Sequence, residues 1–180
     1  IRAGNTFKVG FNENDFYIFC GDYFDRDLQN KETLEFLMHL SEKKNVLLLE
    51  GNHERWLNYY ANDEIEEIKS KTFLHKTMPE ILELDKKDLR AFYRRIGQMA
   101  YFNFDDKKYL VTHGGLSYMP SDLILVATDQ MIHGVGDYNV NIDEVWRNNF
   151  YDTIQIHAHR NTFDIDDVDE ISYNLEGKVE

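Results

Sequence analysis

The chain is poor in several things. It has one cysteine in 180 residues, so no internal disulfide can form, and disulfide scaffolds and cysteine-rich zinc folds are excluded. Cys20 alone also suggests a reducing compartment, and the expected location is the cytoplasm. Only two prolines, Pro79 and Pro120, punctuate the chain. The longest apolar runs are about five residues, far short of the roughly 20 that span a bilayer. No charged, apolar and small-residue leader is visible at the start. Positive charge is scarce: 20 Lys plus Arg against 33 Asp plus Glu gives a net charge of −13. A broad basic surface for a polyanion is therefore excluded, although a small phosphate pocket is not, because bound cations can invert local charge.

Apolar content is adequate for a folded core. Hydrophobic residues are 42% of the chain and the mean hydropathy is −0.57, which describes a soluble globular protein rather than a disordered one. The length fits one domain. Strand and helix patterns alternate. Asp15–Cys20 and Asn45–Glu50 read as buried strands, and Asn30–Lys44 as a helix with Leu34, Leu37, Met38 and Leu40 at helical spacing. Residues 53–96 read as helical, with residues 55–98 forming an insertion or cap. Met99–Phe104 and Tyr109–Thr112 read as a hairpin around Asp105–Lys108, and Thr153–Ile156 and Glu170–Leu175 as later strands. The pattern predicts a layered α/β architecture.

The most informative residues stand at the carboxyl ends of the apolar runs. Gly21-Asp22 ends the first, and Gly51-Asn52-His53-Glu54 the second. Thr112-His113-Gly114-Gly115 closes the hairpin, and His157-Ala158-His159 ends the strand from residue 153. Four strand ends thus each deliver an oxygen or imidazole donor, and the carboxyl ends of strands are where α/β sheets bind ligands. One carboxylate, one amide and two or three imidazoles suit manganese, iron, zinc or nickel better than calcium. His157 and His159 would share a face if the strand stayed extended through both.

Gly21-Asp-Tyr-Phe-Asp-Arg26, Gly51-Asn-His-Glu54, Val111-Thr-His-Gly-Gly115 and Ile156-His-Ala-His-Arg-Asn161 together resemble the calcineurin-like metallophosphoesterases. They look most like the branch holding phosphoprotein phosphatases and bacterial or phage phosphatases allied to RNA-end-repair enzymes. The stretch Ile132–Tyr138 and the ending Asn174–Val179 look like that branch too. The resemblance implies a β-sandwich flanked by helices, and hydrolysis of phosphomonoesters by a metal-bound hydroxide. It implies that Asp22 bridges two divalent ions, manganese first, with iron, zinc or nickel as alternatives. Asn52, His113 and His159 would complete one ion's shell, with His157 a second choice. His53 would be the general acid, oriented by Asp25. Arg26 would grip the phosphate, with Arg55 a weaker candidate. Substrates would be small phosphomonoesters, RNA or DNA ends, or phosphoproteins, with no membrane partner. The other reading is a degenerate, non-catalytic metal-binding or interaction module of the same fold.

Three departures stand out. Residues 1–20 hold no Asp-x-His pair and no histidine, and that pair opens the family's pattern. The expectation is that a first strand lies upstream of Ile1 and further strands beyond Glu180. Asp27 stands where the family has glycine, which adds negative charge beside Arg26. Ala158 replaces a more usual glycine. Arg90 and Arg94, one helical turn apart, are further phosphate candidates, or else a solvated face.

Overall fold

A computed structural model of the chain describes residues 11–25, 29–149, 152–160 and 171–176. The chain divides into two compact units, residues 1–48 with 52–96, and residues 49–51 with 97–180. Both are mixed α/β, each with its own sheet.

The first unit pairs β1 (Tyr17–Phe19) with β2 (Val46–Leu48) in parallel, Ile18 opposite Leu47. A parallel pair needs a crossover, and α1 (Asn30–Leu40) supplies it. Leu34, Leu37 and Leu40 are the buried stripe of α1, as their spacing predicts. The helix stops four residues short of the expected end. Ser41 caps it, its hydroxyl donating to Met38 O at 2.7 Å. The stretch expected to be buried at β1 is half-buried instead.

The segment after β2 is a broken helical run rather than continuous helix. It comprises α2 (Glu54–Ala61), a 3-10 turn (Ile65–Glu67), a π turn (Phe73–Thr77), α3 (Met78–Glu80) and α4 (Lys86–Tyr93). Asp63, at φ 63°, ends α2, because a left-handed residue cannot continue a right-handed helix. Arg90 donates to Ala61 O at that helix end, a carbonyl left open by the lost turn. This occupies one of the two candidate phosphate arginines, while Arg94 is exposed. Leu48, Leu57, Phe73, Ile81, Leu89 and Phe92 join the α1 leucines in one buried cluster.

The second unit carries a four-stranded sheet of β3 (Met99–Phe104), β4 (Lys107–Thr112), β5 (Thr153–His157) and β6 (Ser172–Asn174), in that order. β3 and β4 are antiparallel; β4, β5 and β6 run parallel. The hairpin turn is two residues rather than the four expected. Asp105 and Asp106 have φ of 48° and 59°, the signature of a type I′ turn, whose twist matches that of the flanking strands. α5 (Thr128–His133) and α6 (Ile142–Asn148) lie in the crossover from β4 to β5. Buried Trp146 on α6 donates its indole N–H to Thr153 O at 3.2 Å, which ties the helix to the start of β5. Among the described residues, no helix is long and apolar enough to cross a membrane.

Candidate metal and phosphate centre

In each unit the donors sit just past the carboxyl ends of neighbouring parallel strands. Asp22 follows β1, and Asn52 and His53 follow β2. His113 follows β4, and His159 follows β5. Parallel pairing places the two donor groups of each sheet at the same edge.

In the first unit the chain turns sharply after β1. Gly21, Asp22 and Asp25 all have positive φ, 86°, 58° and 76°. Left-handed backbone at two non-glycine residues stores strain, which persists only where the surroundings hold it. Two clamps hold it here. Glu54, buried at the start of α2, accepts the backbone N–H of Asp22 and that of Tyr23, both at 2.9 Å. Asn30, at the start of α1, accepts the backbone N–H of Asp25 at 3.0 Å. Asp22 Oδ1 in turn accepts the backbone N–H of His53 at 3.3 Å.

The His53 ring lies against Asp25, with Nδ1 2.8 Å from Oδ2. A carboxylate only accepts, so Nδ1 carries the proton and Nε2 is the opposite working edge of the ring. Asp25 is 2% exposed, and its other oxygen accepts from the Thr77 hydroxyl. Burial of His53 opposes its charged form. The Asp25 hydrogen bond and the charges of Asp22, Asp25 and Glu54 work in the other direction and hold the imidazole above its ordinary 6.5. In the metal-free protein this pairing therefore stabilises the fold fully below pH 6.5 and is lost as pH rises through the elevated folded value. The expected result is a melting temperature of the metal-free chain that falls across that window. The fall should be flattened in His53→Gln and is read by calorimetry in chelator.

Cys20, two residues before Asp22, has its thiol pushed up to about 11 by burial. Iodoacetamide at pH 8 should alkylate it slowly in the native chain and quickly in denaturant, as followed by intact mass; equal rates would contradict the burial.

In the second unit the polar scaffold is dense. His113 is 1% exposed, and its ring centroid lies 4.9 Å from that of His159. Ala158 N–H donates to His113 O at 2.9 Å, which extends the β4–β5 ladder and fixes the two histidine segments side by side. His159 has φ 65°, so the chain leaves the strand between His157 and His159. The two histidines therefore do not share a strand face. Glu176 accepts the His159 backbone N–H at 3.0 Å. His133 and Tyr138 place ring edges against His159 at 5.7 and 5.4 Å.

His157 is fully buried, with Nε2 2.9 Å from Asp143 Oδ1 and Nδ1 3.0 Å from Ala158 O. Asp143 also accepts from Ser172 at 2.6 Å. Burial raises the Asp143 carboxyl, but the His157 hydrogen bond and charge and the Ser172 hydroxyl outweigh it and hold the group below its ordinary value. Nε2 of His157 thus ties α6 to β5, while Nδ1 lies against the carbonyl of the next residue.

The loop after His113 is held by Gln155, a buried side chain on β5 that accepts the Leu116 backbone N–H at 2.7 Å. Gly114 donates its N–H to Met131 O at 2.8 Å. A methyl on Gly114 would lie 2.1 Å from Gly134 N and 2.6 Å from His133 C. Only glycine permits that approach of two backbones.

Arg26 and Asp27 lie outside the described residues. Arg55 is half-buried on α2. Sequence reasoning did not assign Glu54, Asn30, Thr77, Gln155 or Asp143 a role. Glu54 stands within the Gly-Asn-His-Glu motif, and that place was the available signal; the others carry no local signature.

No curated protein matches the chain. Residues 3–178 match the family described as calcineurin-like phosphoesterase. That match spans nearly the whole chain and every donor described above, and the two-sheet α/β architecture agrees with it; the chain belongs to the calcineurin-like phosphoesterase family.

Proposed function

We propose that the chain is a divalent-metal-dependent phosphoesterase that hydrolyses phosphomonoesters with His53 as general acid. The observation that carries this reading is the His53–Asp25 pair at 2.8 Å, held beside Asp22 by a backbone that would not adopt its left-handed turns unaided. Family membership supports metal dependence and phosphoester hydrolysis.

In this reading Asp22, Asn52, His113 and His159 are the residues that would hold a divalent ion, with Asp22 the one that would be shared with a second. The residues fit such a group. Asp22, Asp25 and Glu54 concentrate negative charge around a single imidazole in the first unit, and the paired His113 and His159 add borderline nitrogen donors in the second. Manganese suits this set, as do iron, zinc and nickel. When bound, such ions supply Lewis acidity at the phosphoryl oxygens and activate water. The protein's own part is positional. Charged His53 would give its Nε2 proton to the leaving oxygen and be left as the neutral ring with its proton on Nδ1, while Asp25 holds that Nδ1–H, orients the ring and favours its charged form. Arg26 and Arg55 offer planar forks for the phosphate oxygens. His157 is the weaker ligand choice, because both its nitrogens are engaged.

The acidic surface, net −13, favours compact phosphomonoesters over long polyanions. Nucleic-acid 3′ ends and phosphoserine or phosphothreonine proteins remain the natural substrates to compare within that class. With manganese and an aryl phosphate the chain should turn over; chelation should abolish turnover and re-added metal restore it. Wild-type turnover in both Asp22→Asn and His53→Ala would overturn the reading. Metal binding without turnover would favour the non-catalytic module.

A further inference from the structure

We propose that Thr77 is a positioning residue for the general acid, brought to the centre by the π turn Phe73–Thr77. The inference rests on the reading of His53 as the acid. The Thr77 hydroxyl donates to Asp25 Oδ1, while Asp25 Oδ2 faces His53 Nδ1 at 2.8 Å. The carboxylate therefore bridges the hydroxyl and the imidazole, one oxygen to each. Thr77 is 1% exposed and Asp25 2%, so water has little access to replace the hydroxyl. The Asn30 side chain fixes the backbone of Asp25 and not its carboxylate. The remaining rotation of that carboxylate is held, among the described residues, by Thr77.

The delivery is unusual in backbone terms. Thr77 lies 52 residues from Asp25, in the helical segment beyond the motif histidine. Single π turns shift the side chains beyond them around a helix axis and occur often at functional sites. Here the turn runs directly into α3, where Ile81 N–H bonds back to Thr77 O. The same segment also reaches the start of α1: Glu80 accepts the Asn30 backbone N–H at 2.7 Å. The helical segment thus secures both residues that fix Asp25, Thr77 directly and Asn30 through Glu80.

A hydroxyl that orients a general acid shows itself only where proton donation limits the rate. Thr77→Val keeps the shape and removes the donor; Thr77→Ser keeps the donor. With manganese, Thr77→Val should lower kcat on phenyl phosphate by about tenfold, the factor one net hydrogen bond typically carries. On 2,4-dinitrophenyl phosphate, whose leaving group needs no proton, the loss should stay within about twofold. KM and manganese affinity should be unchanged, and Thr77→Ser should restore the phenyl phosphate rate. A second readout is independent of turnover. The His53 Nδ1–H proton, seen by NMR, should exchange faster with water in Thr77→Val than in wild type or Thr77→Ser. Equal losses on both substrates would reduce Thr77 to a structural residue. An unchanged leaving-group dependence together with unchanged proton exchange would overturn the proposal outright. If His53→Ala itself shows no leaving-group dependence, the general-acid reading fails, and the exchange measurement alone then decides whether Thr77 holds the Asp25–His53 pair.

Discussion

Replacing His53 with alanine is expected to lower kcat on phenyl phosphate by about 10²–10⁴-fold, the usual worth of a positioned general acid, if the proposed role holds. The loss is much smaller on 2,4-dinitrophenyl phosphate, because its leaving oxygen departs as an anion without help. Asp25→Asn shows the same pattern, since an amide at Oδ2 no longer holds Nδ1–H in place. Manganese affinity in both variants should stay near wild type, which would separate proton donation from metal binding. Stopped-flow or steady-state kinetics on a series of aryl phosphates reads this directly. A uniform loss across leaving groups would mean that His53 serves binding or folding and not proton transfer.

Gly114→Ala is the substitution expected to harm the fold most. The added carbon would meet Gly134 N at 2.1 Å and Ile132 O at 2.7 Å, both backbone atoms at the C-terminal end of α5. No rotamer relieves a Cβ clash. The alternatives are to break the Gly114 N–H bond to Met131 O or to push the 131–134 segment away. Either costs more than the 1–3 kcal/mol of ordinary overpacking, and about 4 kcal/mol or loss of folding is expected. Because His113 precedes this glycine, any folded remnant should also bind manganese poorly. Urea unfolding monitored by circular dichroism measures the first effect. A shift under about 1 kcal/mol would show that the two backbones are not in contact.

Much of this centre could be read in the chain beforehand, for a definite reason. The candidate donors come directly after strands, and short apolar runs that break into Gly-Asp, Gly-Asn-His or His-Gly-Gly announce both the strand and the donors at its end. The leucines at 34, 37 and 40 likewise gave α1 its buried face. The features that escaped sequence reading are held by distance or by backbone. Thr77 reaches Asp25 across 52 residues of sequence, and no local pattern encodes such a contact. The residues 53–96 read as helical, and they are helical in several short pieces. Left-handed Asp63 and the π turn at Phe73–Thr77 interrupt the run for tertiary reasons. The positive φ of His159 is another backbone event without a signature, since only a few per cent of non-glycine residues adopt it. It is also the feature that separates His159 from buried His157.

In the proposed reading, Asp22, Asn52, His113 and His159 would each serve as a ligand to a divalent ion. Manganese titration of the wild-type chain and of Asp22→Asn, Asn52→Ala, His113→Ala and His159→Ala, by calorimetry or electron paramagnetic resonance, tests it most directly. Wild type should bind, and each variant, shown to be folded, should lose at least about tenfold in affinity. Wild-type affinity in all four variants, or no binding by the wild-type chain, would contradict it.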